Sequence, residues 1–213
     1  MNATSYIVIV LIVIIVIMVY FLYSSYAKSS AKVSSTLYNL NKQNTGINSS
    51  DLKNPSSQSF SYSVWVFVNT WNTNSTKVIY SATNIISLNL GTTNPVLTTT
   101  IGSNTPIQIT SNFPIQKWVY IAVSVDSQTT DCYLDGKLVA SRQITTIPVI
   151  PSSYVINFGN FDAYLTGFKY SDKPLNPQQV WSNYMAGNGY SGGKYGVNLA
   201  LTKDSNVIGQ ISY

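Results

Sequence analysis

Hydrophobic side chains are arranged in two different ways along the chain. Residues 7–19 are apolar without interruption, twelve of the thirteen being Ile, Val or Leu, and Tyr20, Phe21 and Leu22 extend the run. A block with no polar face predicts a helix that is hydrophobic all round, as in a membrane span. From Tyr6 to Tyr23 such a helix rises about 27 Å, close to the roughly 30 Å hydrocarbon thickness of a bilayer. At about 0.3–0.6 kcal/mol per aliphatic residue, insertion is favoured by at most about 4–7 kcal/mol. Ile7, Leu11, Ile15, Val19 and Leu22 would face lipid. Tyr6, Tyr20 and Tyr23 sit at interfacial depth, and Lys28 is the first charged side chain. A cleaved signal peptide is the rival reading, but it wants a positive start and an apolar stretch of about 7–15 residues. Residues 2–6 are uncharged and the run is longer, which favours a retained anchor over residues 1–27. The block has no Gly, Ala or Ser, so it lacks the small-residue face of a packed helix pair. Lys28, Lys32 and Lys42 all follow it, and the positive-inside rule then puts the C-terminal body in the cytosol.

Beyond the block, Tyr26, Val33, Leu37 and Leu40 recur at helical spacing and predict a stalk helix to about residue 42. An Asn/Ser/Gly/Pro-rich linker follows to residue 59. At Phe60 the pattern becomes alternation: Phe60, Tyr62, Val64, Val66 and Val68 against Ser61, Ser63, Trp65 and Phe67. Further strand-like runs are 77–82, 84–90, 96–101, 106–110, 117–125, 129–134, 137–143, 153–159 and 163–170. Many short strands separated by turn residues predict an all-β sandwich or barrel. Asp135-Gly136 is a two-residue hairpin turn that sets Tyr133 against Leu138 and Cys132 against Val139. One helix is expected in this body, 177–186, with Asn176 as N-cap, Pro177 at the first position and Gln179 closing a capping box. Leu175 and Val180 would form its hydrophobic staple, and Gly187 ends it. Residues 188–213 read as a Gly/Tyr-rich connector, with Tyr190 and Tyr195, leading into a terminal hairpin.

Several blocks in order resemble the laminin-G-like, concanavalin-A-like jelly-roll family. They are Ser61-Tyr-Ser-Val-Trp-Val66, Lys117-Trp-Val-Tyr-Ile-Ala-Val-Ser-Val-Asp126 and Tyr133-Leu-Asp-Gly-Lys-Leu-Val-Ala140. Phe158-Gly159, Leu165-Thr-Gly-Phe-Lys-Tyr-Ser-Asp-Lys-Pro-Leu175 and the short helix ending in Tyr184 complete the set. The resemblance covers residues 60–187 and implies a jelly-roll sandwich whose relatives include lectins, glucanases and structural virion proteins. In arrangement, an anchor, such a sandwich and a Gly-Gly-Tyr tail resemble the membrane-associated minor capsid proteins of large double-stranded DNA viruses.

Composition narrows the chemistry. Charged residues make up 9%, all seven acids are Asp, and the chain has no Glu and no His. That excludes a His relay, His metal ligands and the paired Glu of the glucanases in the family it resembles. Cys132, in a strand pattern, reads as a buried inert thiol. Residues 1–59 carry a net +3 and residues 60–213 a net +2, with no basic stripe, so nucleic acid is not an expected partner. Gly187-Asn-Gly189 and Ser191-Gly-Gly193 lack the helix and Lys-Ser/Thr of a phosphate loop. The family's calcium sites suggest Asp162, with Asn157 or Asn160, as a weak metal candidate; no cofactor is expected.

Trp65, Trp118 and Trp181 lie in strand or helix patterns and read as core. Trp71 lies in the polar loop Asn69-Thr-Trp-Asn-Thr-Asn-Ser75, beside Asn72 and Asn74. It either stacks on a sugar or a protein partner, or folds back on the sandwich edge. Trp71, Asn72, Asn74, Tyr190 and Tyr195 are therefore the contact candidates. Two functions fit a non-enzymatic body on an anchor. The first is a virion protein that ties an internal membrane to capsid shell proteins. The alternative is a membrane-anchored lectin-like adhesion module, with a glycan as partner.

Overall fold

The computed structural model describes residues 10–21, 31–32, 37–42, 45–189, 198–203 and 206–212. Residues 10–21 form helix α1, every side chain of it exposed. Among the described residues no helix is long and apolar enough to cross a membrane; twelve residues rise only about 18 Å. The rest of the expected span, with Tyr6, Ile7, Leu22, Tyr23 and Lys28, lies outside the described residues.

The body is a sandwich of two antiparallel sheets. Its strands are β1 (Ala31–Lys32), β2 (Tyr38–Asn39), β3 (Ile47–Asn48), β4 (Phe60–Val68), β5 (Lys77–Ala82), β6 (Ile86–Leu90), β7 (Leu97–Ile101) and β8 (Ile107–Thr110). They continue with β9 (Trp118–Asp126), β10 (Thr129–Leu134), β11 (Lys137–Gln143), β12 (Val155–Phe158) and β13 (Ala163–Ser171). One sheet runs β1-β13-β4-β9-β10-β11, with β2 also on β13, and the other runs β3-β12-β5-β6-β7-β8. The all-β jelly-roll expectation holds, and each run read from alternation is a strand within about two residues at either end.

The alternation decides the layering. Phe60, Tyr62, Val64, Val66 and Val68 turn inward with Val119, Ile121, Val123 and Val125 of β9 against Ile79, Leu88, Leu90 and Leu97 of the second sheet, all buried. Each fully buried side chain of this size contributes about 1.5–3 kcal/mol. Cys132 joins this core, and burial pushes its thiol pKa up to about 12. Phe158-Gly159 has a close-approach reason for its glycine: a Cβ there would overlap the carbonyl of Val78.

Several readings need correction. The stalk helix does not reach residue 42, because Tyr38-Asn39 pair with β13 and Leu40 is fully buried in the core. Within the expected linker, Ile47-Asn48 pair with β12, Leu52 is buried, and Tyr170 donates to the Asn54 carbonyl at 3.0 Å. Helical spacing of apolar residues also suits single anchor points dropped onto a sandwich edge. At the Asp135-Gly136 turn Tyr133 faces Leu138, as the turn chemistry requires, but a bulge sets Cys132 against Ala140 and not Val139.

Helix α2 (Pro177–Met185) lies on the outer face of the first sheet. Its capping box is complete: Gln179 N–H donates to Asn176 Oδ1 at 2.8 Å, and Asn176 N–H to Gln179 Oε1 at 3.0 Å. Val180 and Tyr184 pack with Leu175 on Trp65, Tyr120 and Tyr133, a second apolar cluster. Trp181 is corrected from core to surface, at 46% exposure. Strands β14 (Asn198–Lys203) and β15 (Asn206–Ser212) form the expected terminal hairpin.

Candidate functional site

The structure places the contact candidates from the sequence in different settings. Trp71 folds back on the body: its indole N–H donates to the Thr93 carbonyl at 3.3 Å, and the Lys77 ammonium stands 4.1 Å from its ring centroid. That ammonium also donates to the Ser75 and Thr92 carbonyls at 3.0 and 3.4 Å, and Lys77 is almost fully buried. Burial lowers its pKa. The pair clamps two loops together, leaving Trp71 one ring face committed. Asn72 and Asn74 stay exposed on the loop. Tyr190 and Tyr195 lie outside the described residues.

Asp162 is a hydrogen-bond hub. Its carboxylate accepts from Thr70 Oγ1 at 2.6 Å, Asn69 Nδ2 at 2.9 Å and Asn41 Nδ2 at 2.7 Å. The Thr70 bond, opposed by desolvation and helped by Asn69 and Asn41, lowers its pKa. A carboxylate that accepts from three donors holds a loop and the strand-β2 segment together, and the described residues contain no group of three or more His, Cys, Asp or Glu that could hold a metal ion.

A concavity of about 640 Å³ lies elsewhere, on the outer face of the first sheet beside α2. Its floor is β4 and β13, where Ser61 stands opposite Ser171 and Ser63 opposite Lys169. Small hydroxyl residues on β4 leave the depth that bulky side chains would fill. One wall is the segment from Lys173 to Asn176, tied down by serines. Ser61 Oγ donates to the Lys173 carbonyl at 2.9 Å, and Leu175 N–H donates to Ser124 Oγ at 2.8 Å. The other wall is a polar stripe of α2, Gln178, Gln179, Ser182 and Asn183, at spacings of one and four residues. The opposite stripe, Val180 and Tyr184, is what glues the helix to the sheet.

Deeper in, the buried Tyr120 hydroxyl lies beside Ser63 and Asn183 but completes a well-formed hydrogen bond with neither. Burial raises its pKa, and those two neighbours oppose the rise. Hydroxyls, carboxamides and ammonium groups line the cleft, and no carboxylate does. The set can donate and accept hydrogen bonds in many directions, but it offers no acid–base pair for hydrolysis. Sequence reasoning missed these residues. Their signal was present in the paired small hydroxyls Ser61 and Ser63 and in the Gln/Ser/Asn stripe of α2.

The family model described as the concanavalin A-like lectin/glucanases superfamily matches residues 41–181. No curated protein matches the sequence. Among solved structures, one similar chain is a mutant of Trypanosoma rangeli sialidase displaying trans-sialidase activity. It shows 13% identity and a TM-score of 0.50 over 62% of this chain and 23% of that one. Another is the binding domain of botulinum neurotoxin DC in complex with SialylT, with 18% identity and a TM-score of 0.51 over 62% of this chain and 36% of that one. The chain thus spans 23% and 36% of those two chains, and the likeness is one of fold.

Proposed function

This chain belongs to the concanavalin A-like lectin/glucanases superfamily, and from that premise we propose that it is a non-enzymatic carbohydrate-recognition module carried on an apolar N-terminal anchor. The observation that carries the reading is the cleft between β4, β13 and α2. Its volume suits one or two sugar rings, and its lining matches sugar hydroxyls with serines and carboxamides. The missing Glu pair and the carboxylate-free lining support binding without turnover. For the anchor, the support is the uninterrupted apolar run over residues 7–22, whose helical part exposes every side chain. Passing the full chain, in detergent micelles, over resins carrying defined oligosaccharides tests the reading. Retention on at least one glycan resin, eluted by free sugar and with no sugar released from the resin, is expected. Passage through all of them at the rate of a plain resin would overturn it.

A second reading keeps the anchor and changes what the body grips: a tether between a membrane and the protein shell of a virion. It is favoured by the outer face of the second sheet, where Ser81, Ser87, Asn89, Thr98, Thr100 and Gln108 form an uncharged, half-exposed surface on adjacent strands. Under it, detergent stripping of particles would leave the protein on the shell, and a glycan resin would not retain it.

A further inference from the structure

We infer that Trp181 is a second, sugar-stacking subsite, so that the protein grips chain saccharides longer than its cleft in preference to disaccharides; the inference rests on the glycan reading above. Helix α2 sorts its side chains by angle, at 3.6 residues per turn. Val180 and Tyr184 pack down on the sheet, and Gln179 and Asn183 line the cleft on one flank. Trp181 and Met185 lie on the other flank, with Gln178 and Ser182 exposed on the crest between. A saccharide that leaves the cleft crosses this polar crest, on a helix about 10–12 Å across, and meets the indole.

The indole is held as a platform. It lies against the β10–β11 turn, where a Cβ on Gly136 would come within 2.8 Å of its Cε3. Tyr184 braces it, with ring centroids 5.6 Å apart and planes at 45°. The turn is itself fixed, since the Asp135 carboxylate accepts from the Tyr120 N–H at 3.0 Å and pairs with Lys117 at 3.3 Å. Trp181 nonetheless keeps nearly half of its surface in water. Met185 and, on the adjoining strand β11, Leu138 are each more than half exposed. Leu138 shares the outer face with buried Tyr133, its cross-strand partner. Scattered exposed apolar residues need no explanation, but a cluster around a pinned Trp marks a contact surface. Its continuity with the hydroxyl- and carboxamide-lined cleft on the same helix points to a sugar as the occupant. A sugar ring carries hydroxyls at its rim and C–H groups on its faces, so one chain can satisfy the cleft and stack on the indole. A ring already fixed in place gives that contact area at small entropic cost.

The test is isothermal titration of the full chain in detergent micelles with cello-, chito- and β-1,4-galacto-oligosaccharides, each as disaccharide and hexasaccharide. At least one hexasaccharide should bind about tenfold or more tightly than its disaccharide. Trp181→Ala should shrink that ratio to about twofold or less. Trp181→Gln, which covers Gly136 without a ring, should do the same, and Trp181→Phe, which keeps a ring, should retain most of the ratio. If the two lengths bind alike, or the ratio survives loss of the ring, the stacking subsite is wrong while glycan binding survives. If loss of the ring instead lowers the assembly state of the micelle-bound chain and leaves the ratio intact, the patch joins copies of the chain and the inference fails. Should no saccharide of either length bind, both readings fail together.

Discussion

Single residues carry the sharpest tests of how the body is held together. Asp162 draws Asn41, Asn69 and Thr70 onto one carboxylate, so Asp162→Ala should cost about 1–2 kcal/mol in urea unfolding at neutral pH. Because its folded-state pKa lies below the ordinary value near 3.8, this contribution is present above that value and lost as pH falls through the lower folded one. The gap between wild type and variant should therefore close as the medium approaches strong acid. Cys132 should be inert in the native protein. With the thiol buried and its pKa near 12, iodoacetamide at pH 8 should label it only after denaturation. Trp71 illustrates where residue-level reading stops. A Trp among asparagines was visible in the sequence, but its partner Lys77 lies in the next strand, and only the fold shows the ammonium over the ring.

Elements explain which parts of the fold could be read in advance. Strand alternation and the caps of α2 are local chemistry, so β4 to β13 and the helix were legible from the sequence. Segments that gain structure only by landing on the finished sandwich were not. Leu40 and Leu52 look like isolated apolar residues in polar surroundings, yet both are buried. Leu40→Ala should accordingly cost about 2–5 kcal/mol, as for a core leucine, whereas a stalk position would lose almost nothing; equilibrium denaturation separates the two. The cleft was illegible for the same reason: it exists only because α2 stands beside β13. Asn176→Ala should weaken the cap by about 1 kcal/mol, read as a lower Tm. Gly136→Ala should do more damage, because Gly136 has φ of +80° and a Cβ there would come within 2.8 Å of Trp181. That substitution pries α2 from the turn between β10 and β11, and the cleft should loosen with it.

At the scale of the whole molecule, the absence of His and Glu leaves almost nothing to titrate between pH 5 and 9, so stability should be flat there. Buried Tyr62, Tyr80, Tyr120 and Tyr170 all have raised pKa values, chiefly from desolvation. Their contribution is whole below the ordinary phenol value near 10 and is lost as pH climbs past it, so alkaline unfolding should be steep. The central claim is that the cleft beside α2, and not the Trp71 loop, is where a partner sugar sits. Ser182 is exposed on the cleft wall, and Ser182→Trp would fill the space without touching the core. The most direct measurement is calorimetric titration of the full chain with an oligosaccharide it retains, comparing Ser182→Trp with Trp71→Ala. Loss of binding in Ser182→Trp, with Trp71→Ala still binding, is the expected result. Unchanged binding in Ser182→Trp together with its loss in Trp71→Ala would contradict the account.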